Sequence, residues 1–364
     1  MLSNINRRQF MKKALAAGTT LAAFPATIPG AAHAEKGPKV VVHPNVNNLR
    51  VVGITDPRMT TAHNPVSTWA TQEQLVSEAA VWRNMDKLAN GLSEISNSTQ
   101  AWQRIFIKPP GKTWADTTVA IKTNNIGRQH TRSAVMAKIC HTLTETLGVA
   151  PANIIIYDAC HGRSMSEKTA FQGLPENCRI ENKWGGSTAR TGIPAPWKNG
   201  RGESKCLEHL VNGSVDILIN IAMCKGHNEK FGGFTMSMKN HFGTFDPWPG
   251  HMFGGADYLI AINKTTEILG EMEKATGRVL FPRQQLCVID ALWASKCGPG
   301  CASSHQPNFL AMGVLSPIVD YIVATRFRGE KMGWQPNLEM ANRMLTEFGY
   351  TRSDLLSRGK IIEV

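Results

Sequence analysis

The sequence has no long hydrophobic run beyond its N-terminal region, no internal repeat and no low-complexity tract. Its residues are 42% hydrophobic and only 19% charged, a balance that excludes an intrinsically disordered chain. With 32 Gly and 19 Pro in 364 residues, it is not a fibrous protein. Eight cysteines in this length are too sparse for a disulfide-stapled miniprotein. The chain is therefore globular, with enough residues for one large domain or about two.

The positive charge of the chain is dispersed. The formal net charge is +12, of which four charges belong to arginines and lysines at positions 7, 8, 12 and 13. The rest of the chain thus carries +8, without a run of five like charges or a basic stripe on one helical face. This pattern favours a small anionic molecule or an acidic protein over nucleic acid as the partner.

The N-terminus has the pattern of a twin-arginine export signal. The paired arginines precede an apolar stretch at 14–28, which ends at the small-x-small cleavage pattern of residues 32–34. The stretch is too short and too rich in small residues for a permanent membrane span. We expect residues 1–34 to be a signal peptide and residues 35–364 to be a periplasmic α/β domain without a membrane anchor. An uncleaved N-terminal anchor is the alternative.

Strand and helix patterns alternate along the remaining chain. Short apolar segments predict buried strands at 49–54, 117–121, 153–157, 215–219 and 286–289. Apolar residues at helical spacing predict helices at 71–92, 131–147, 258–273 and 317–326. This alternation indicates an α/β protein with a mainly parallel sheet and crossover helices. Residues 162–205, rich in Gly, Pro, Lys, Asn and Trp, are predicted to form a long irregular insertion that serves as a lid or a docking surface.

Polar residues follow four of the predicted strands at the point where each strand ends. Ligands of open parallel sheets bind beyond the carboxyl ends of the strands, so we expect one shared site there. For any single Asn or Asp, a turn or a helix cap is the alternative. The residues concerned are Lys122, Asn124 and Asn125; Asp158, Cys160 and His161; Asn220, Cys224, Lys225 and His227; and Asp290.

A glycine-rich segment follows the third of these strands. Gly232 and Gly233 permit a close backbone approach to a ligand, with a tight turn as the alternative. Lys239 can attract an anion or form a Schiff base, and Thr235 and Asn240 can orient phosphate or carboxylate oxygens. No G-x-G-x-x-G pattern follows a strand, so no dinucleotide-binding site is predicted.

Four cysteines lie away from the predicted site. Cys140 and Cys287 belong to an amphipathic helix and an apolar strand, where they are expected to be inert core residues. Cys178 and Cys206 lie in or beside the insertion and are candidates for a disulfide in an oxidising compartment.

Two further cysteines flank a Gly-Pro-Gly loop. Cys297 and Cys301 can ligate a metal or an iron–sulfur cluster. The alternative is that they form a small disulfide or remain thiols.

Several of these motifs resemble the domain of unknown function 362 family. The resemblance lies in Lys225-Gly-His227, the run 232–243 and a later His251, and it extends over roughly 119–320. Some members carry a ferredoxin-like cysteine segment, whereas this chain has no C-x-x-C-x-x-C run. The family usually has two acidic residues near its C-terminus, and of these only Asp320 occurs here.

A more distant resemblance concerns the lactate racemase family. Residues 157–164, His227, Lys239 and His251 occur in a similar order in that family. The resemblance implies that His161 and His227 are an acid/base pair, that Lys239 tethers a nickel-pincer nucleotide and that His251 ligates the nickel. Two imidazoles facing a bound hydroxy acid can exchange proton roles near neutral pH.

Two classes of function follow from these observations. The first is a periplasmic enzyme, an isomerase or an oxidoreductase, that holds a metal or cofactor of the nickel type and acts on a small anionic substrate. The second is an iron–sulfur electron-transfer or accessory protein that serves an exported redox partner. A cofactor-free protein that docks through its insertion is a third. The assigned residues are His161, His227 and Lys239 for catalysis; Lys122, Asn124, Lys225, Thr235 and Asn240 for substrate binding; and His251, Cys297 and Cys301 for metal.

Overall fold

The computed structural model describes residues 38–158, 170–181, 188–194, 203–356 and 362–363. The predicted signal peptide lies outside the described residues, as do Cys160 and His161. Within the described part of the chain, no helix is both long and apolar enough to cross a membrane.

An eight-stranded sheet organises the fold, in the order β12-β1-β11-β10-β7-β2-β3-β4. Strand β11 pairs antiparallel with β1 and β10, and every other pairing is parallel. The strands are β1 (Val52–Thr55), β2 (Val119–Lys122), β3 (Ile154–Tyr157), β4 (Arg179–Glu181), β7 (Ile217–Met223), β10 (Gln284–Ala291), β11 (Phe309–Gly313) and β12 (Ile362–Glu363). Two separate hairpins comprise β5 (Thr188–Pro194) with β6 (Glu203–Leu207), and β8 (Lys225–Gly226) with β9 (Phe234–Thr235).

Helices connect and cover these strands. The α-helices are α1 (Trp69–Glu73), α2 (Glu78–Ser93), α3 (Ser98–Ile105), α4 (Ser133–His141), α5 (Glu208–Val211), α6 (Ser237–Asn240), α7 (Gly255–Asn263), α8 (Thr266–Leu269), α9 (Ser316–Ile322), α10 (Leu338–Thr346) and α11 (Arg352–Leu356). Segments of π-helix at Thr142–Leu147 and Val323–Lys331 continue α4 and α9, and a third lies at Gly250–Gly254. Short 3₁₀ turns occupy Pro57–Met59, Pro151–Asn153 and Glu229–Phe231.

The core forms because apolar faces meet on both sides of the sheet. Strands β2, β3, β7, β10 and β11 are buried at every position, as expected for strands covered on two faces. Helix α2 buries Val81, Met85, Leu88 and Leu92 at helical spacing. Full burial of such a side chain contributes about 1.5–3 kcal/mol. The helix ends at Ser93, because the left-handed backbone of Glu94 (φ 60°) cannot continue it.

The predicted α/β class and mainly parallel sheet are confirmed. Each of the five predicted strands corresponds to an observed one, with ends shifted by a few residues. The predicted helix at 71–92 is interrupted, because the backbone of Leu75 and Ser77 bonds to the segment around Met59 and Thr61. The predicted helix at 258–273 ends at Asn263, because Thr265 is extended and starts a new short helix.

The described residues of the insertion predicted at 162–205 include β4, which extends the main sheet, and strands of the β5–β6 hairpin. The expected disulfide beside the insertion was wrong. Cys178 and Cys206 are not disulfide-bonded. The thiol of Cys178 instead neighbours that of Cys140, and the backbone of Cys206 bridges to Phe245. Cys140 and Cys287 are buried, as predicted.

Candidate active site

The carboxyl ends of the parallel strands meet at one edge of the sheet, as predicted. Lys122 at the end of β2 lies in register with Tyr157 of β3 and with Asn220 of β7. Asp290 of β10 lies in register with Met223, at the end of β7. Residues that follow these strands are therefore neighbours in space.

Lys122 and Asp158 form a buried ion pair between the ends of β2 and β3. The Nζ of Lys122 donates to Oδ1 of Asp158 at 2.6 Å, to the carbonyl of Thr123 at 2.6 Å and to Oδ1 of Asn240 at 3.3 Å. The second oxygen of Asp158 accepts from the backbone N–H of Asn125. Both charged side chains are 1% exposed, so the pair stabilises the strand ends and faces no solvent.

Asn240 joins three strand ends through its amide. Its Nδ2 donates to Oδ1 of Asn220 at 2.8 Å and to the carbonyl of Ile221 at 3.2 Å. Its Oδ1 accepts from Lys122 and from Nδ2 of Asn124 at 3.0 Å. Both ends of the amide are thus bonded to protein.

Lys225 is enclosed by oxygen atoms of the loop that follows β2. Its Nζ donates to Oδ1 of Asn124 at 2.7 Å, to the carbonyl of Gln129 at 2.7 Å and to the carbonyl of Ile126 at 2.9 Å. Burial lowers the pKa of Lys225 to about 7, although the charge of Asp158 opposes this shift. Lys225 has no exposed surface, so its amine positions a loop and does not reach a ligand from this position.

The amine of Lys239 does not bond to the residues around Lys122 and Lys225 and lies beside two imidazole rings. Its Nζ is 3.3 Å from Nε2 of His251, and the ring of His227 stacks on that of His251 with centroids 5.7 Å apart. The Nζ also lies 3.5 Å from the ring centroid of Phe242 and 4.5 Å from that of Phe231. We call His227, Lys239 and His251 the imidazole–lysine cluster.

The imidazole–lysine cluster opens to solvent at one end. Lys239 is 7% exposed, His227 is half-buried and His251 is exposed. A small molecule that approaches past His251 therefore meets the imidazoles before the amine.

The electrostatic environment of the cluster is positive. Partial burial of the rings lowers the pKa of His227 and of His251 to about 3 each, because the His251 ring packs against Phe231 and Phe242 although part of the residue is exposed. The charge of Lys239 acts in the same direction. Burial also lowers the pKa of Lys239 well below its ordinary value, assisted by Lys230. In the described ranges, no carboxylate bonds to any of the three side chains. Both imidazoles are thus neutral near pH 7, and a bound anion would raise all three pKa values.

The tautomer of His227 follows from its hydrogen bonds. Its Nδ1 accepts the backbone N–H of Asn228 at 2.7 Å. The single proton of the neutral ring therefore resides on Nε2.

Helix α6 presents Lys239 and Asn240 and is held by Asp320. The two carboxylate oxygens of Asp320 accept the backbone N–H groups of Ser237 at 2.8 Å and of Met238 at 2.9 Å. Helix α6 has no side-chain cap of its own, so a residue from α9 supplies it. Burial raises the pKa of Asp320 to about 7.

Cys297 and Cys301 are bonded to each other, so the disulfide alternative applies and neither thiol is left to ligate a metal. The disulfide loop contacts the two segments around Lys225. The carbonyl of Cys297 accepts the N–H of Gly226 at 3.0 Å, and the carbonyl of Cys301 accepts a hydrogen bond from Nε2 of Gln129 at 3.1 Å.

Among the residues with described positions, no group of three His, Cys, Asp or Glu is arranged to hold a metal ion, including around His251.

The predicted site residues thus divide into two sets. His227, Lys239 and His251 form the open cluster. Four others, Lys122, Asn124, Lys225 and Asn240, form a closed network behind it, and Thr235 is buried in β9 opposite Lys225. His161 lies outside the described residues.

Sequence reasoning assigned no role to Phe231 and Phe242. Their rings flank the Lys239 amine, and Phe242 follows Lys239 by three residues, a spacing that places the two side chains on one side of a helical turn. Asp320 was noted in the sequence, but its contact with α6 depends on tertiary structure.

The fold and the site define an α/β protein with a mainly parallel sheet and a polar site at the carboxyl ends of its strands. The family described as domain of unknown function (DUF362) matches residues 119–325, more than half of the chain. The chain belongs to this family. No curated protein and no solved structure matches it.

Proposed function

We propose that the protein is an enzyme that binds a small anionic substrate at the imidazole–lysine cluster and transfers a proton with its imidazoles. One observation carries the proposal: the Lys239 amine and the His251 imidazole are in contact at 3.3 Å, with His227 stacked on His251. This places two imidazole rings and one amine at the same opening.

The positive field supports binding of an anion. The groups that influence the pKa of His227 are Lys239, His251 and Lys230, and all of them are basic. An anion bound there supplies the negative charge that the described residues of the cluster lack. Of the three lysines predicted to hold the anion, only Lys239 adjoins this opening.

The imidazoles support proton transfer. A neutral imidazole is a competent base, and a bound anion moves its pKa toward the range in which it also acts as an acid. Because Nδ1 of His227 accepts the backbone N–H of Asn228, its Nε2–H is the group that donates to a bound anion, and His251 is the imidazole proposed to accept a proton. His161 remains a proposed second member of the acid/base pair.

Export through a twin-arginine signal is part of the same proposal. It places the substrate in the periplasm, where small anions can enter from outside the cell. Its support is the sequence pattern of residues 1–34.

A metal or a nickel-type cofactor stays a prediction. A neutral imidazole is a suitable transition-metal donor, but the described residues provide no group of three ligands around His251. The phenyl rings of Phe231 and Phe242 pack against the Lys239 amine, where a tethered nucleotide would need space. We therefore derive no step through a cofactor. The iron–sulfur alternative loses its two candidate thiols to the disulfide.

The proposal is tested on protein exported by its own signal. Metal content is measured by plasma mass spectrometry, and binding of small carboxylates and phosphates is followed through the histidine signals in NMR spectra. We expect His227→Gln and His251→Gln to weaken anion binding by about tenfold or more, whereas His63→Gln, at an exposed position, leaves it unchanged. Equal binding by all four proteins contradicts the proposal.

A further inference from the structure

Three lysines are buried in the described part of the chain, and one of them differs from the other two. The amines of Lys122 and Lys225 each donate to three protein oxygens. The amine of Lys239 has no oxygen acceptor among the described residues, and its one polar contact is Nε2 of His251. An ammonium group in this position would leave most of its hydrogen-bonding capacity unused in a buried site.

We propose that Lys239 is a nucleophile that forms a Schiff base with a substrate carrying a carbonyl group next to a carboxylate, that is, a 2-oxo acid. This inference rests on the proposed function, because the same opening admits the substrate. It adds a covalent step and a substrate class to the proton transfer proposed above.

The step balances without an oxidant or a reductant. The lone pair of the neutral Lys239 amine attacks the carbonyl carbon, and the C=O π bond opens to give a carbinolamine. The nitrogen loses one proton, and the hydroxyl group takes up a proton delivered through His251 and leaves as water while the C=N bond forms. Overall, the amine, the 2-oxo acid and one proton give a protonated imine and one water molecule.

The ring contacts suit the product of this step. The protonated imine is a cation at the former position of the amine, 3.5 Å from the ring centroid of Phe242 and 4.5 Å from that of Phe231. The faces of aromatic rings stabilise a cation that has lost its water shell. The same imine withdraws electrons from the neighbouring C–H bond and makes its proton more acidic.

The carboxylate of the substrate has a partner at the entrance. The ammonium of Lys230 is exposed and donates to the carbonyl of His251 at 2.5 Å. It thus lies at the rim of the opening, separate from the amine that attacks the carbonyl carbon. Lys239 is thus available for the carbonyl group and Lys230 for the carboxylate. This pairing favours a 2-oxo acid over a simple aldehyde, which has no carboxylate.

The acid–base state of the amine agrees with this geometry. Burial lowers the pKa of Lys239 well below its ordinary value. A larger fraction of the amine is therefore neutral and nucleophilic at neutral pH than for an exposed lysine.

The experiment traps the imine on the full chain. The protein is incubated with pyruvate and sodium cyanoborohydride, and the reduced adduct is located by peptide mass mapping. We expect a single rapid adduct on Lys239, none on the sealed Lys225, and slow labelling of surface lysines. Lys239→Met abolishes the rapid adduct, whereas Lys87→Met, at an exposed position of α2, retains it. His251→Gln slows trapping by about tenfold or more because the proton donor is lost.

A second probe separates this inference from the proposed function. Lactate has the carboxylate but no carbonyl, so we expect it to shift the His227 and His251 NMR signals and to slow trapping by pyruvate. If lactate shifts these signals but pyruvate leaves Lys239 unmodified, the Schiff base is excluded and the proposed anion site stands. If neither molecule affects the cluster, both proposals fail. Should Lys239→Met not fold, the adduct map of the unmodified chain decides the question alone.

Discussion

Asp320 accepts a hydrogen bond from the backbone N–H of Met238 at 2.9 Å and thereby ties helix α9 to the turn that presents Lys239. The second carboxylate oxygen accepts the N–H of Ser237. The carboxylate is buried, and its negative charge contributes to the raised pKa values of the thiols of Cys224 and Cys287. The orientation of Lys239 therefore depends on a residue outside the imidazole–lysine cluster.

This contact predicts a pH-dependent stability. The pKa of Asp320 is raised from 3.8 to about 7 in the folded chain, so the folded state holds its proton more tightly than the unfolded state does. Protonated Asp320 contributes to the free energy of unfolding in full below pH 4, and this contribution is lost as the pH rises through 7. The free energy of unfolding should fall by about 1.4 kcal/mol per pH unit between the two pKa values. When it is measured in urea at pH 5, 6 and 7, the Asp320→Asn variant should lack this slope. Parallel curves for the two proteins would show that Asp320 does not titrate in this range.

The histidine tautomer is a second prediction. Because Nδ1 of His227 accepts from Asn228, the neutral ring should be protonated on Nε2. Because burial lowers the pKa of His227 to about 3, the ring should stay neutral at pH 5. Long-range ¹H–¹⁵N NMR spectra distinguish the two tautomers and report the titration. A midpoint near 6.5, or a proton on Nδ1, is incompatible with this geometry.

Lys225→Met tests the closed network. The substitution keeps the length of the side chain but leaves the buried oxygens of Asn124, Ile126 and Gln129 without their donor. We expect a loss of about 3 kcal/mol in the free energy of unfolding, measured by urea denaturation. Lys87→Met, at an exposed position, should change it by less than about 0.5 kcal/mol. Similar values for the two variants would remove the structural role of Lys225.

Gly226→Ala tests the contact between β8 and the disulfide loop. A Cβ at Gly226 would lie 1.8 Å from the carbonyl oxygen of Lys296, so one backbone segment must move. We expect the free energy of unfolding to fall by about 3 kcal/mol or more, because the atom that the new Cβ meets belongs to the backbone and cannot rotate away. Gly298→Ala, in the same loop, has no atom within 4 Å of the new Cβ and should be tolerated. Thermal unfolding of both variants measures the difference, and equal melting temperatures would show that the loop does not pack on β8.

The disulfide itself provides a fifth prediction. Cys297 and Cys301 are four positions apart and close a small loop, so replacing both with serine should cost about 2 kcal/mol through the entropy of the unfolded chain. The metal content of the exported protein should not change in the double variant. A loss of iron and acid-labile sulfide would instead restore the iron–sulfur alternative.

The convergence of Lys122, Asp158 and Lys225 was predictable, because parallel strands bring their carboxyl ends to one edge and each residue follows an apolar strand. Their roles were not predictable in the same way. Sequence reasoning assigned Lys122 and Lys225 to substrate binding, yet both amines point into protein oxygens. A lysine after a strand has the same sequence signature whether its amine meets a ligand or a carbonyl group.

The cysteines show the same limit. Burial of Cys140 and Cys287 followed from the apolar periodicity around them. The neighbour of Cys178 could not be read from such a local pattern. The insertion returns to pair β4 with β3, and this pairing brings Cys178 to Cys140 instead of Cys206.

The amino-acid sequence by itself determined the α/β class, the parallel strands and the edge of the sheet at which polar residues gather, because these depend on hydrophobic periodicity and on local strand ends. Tertiary structure alone decided which of those polar residues face solvent. Lys239 and Asn240 are adjacent in sequence, but the cap from Asp320 and the rings of Phe231 and Phe242 leave one in an open cluster and the other in a closed network. That division depends on contacts between segments far apart in the chain, which local patterns do not encode.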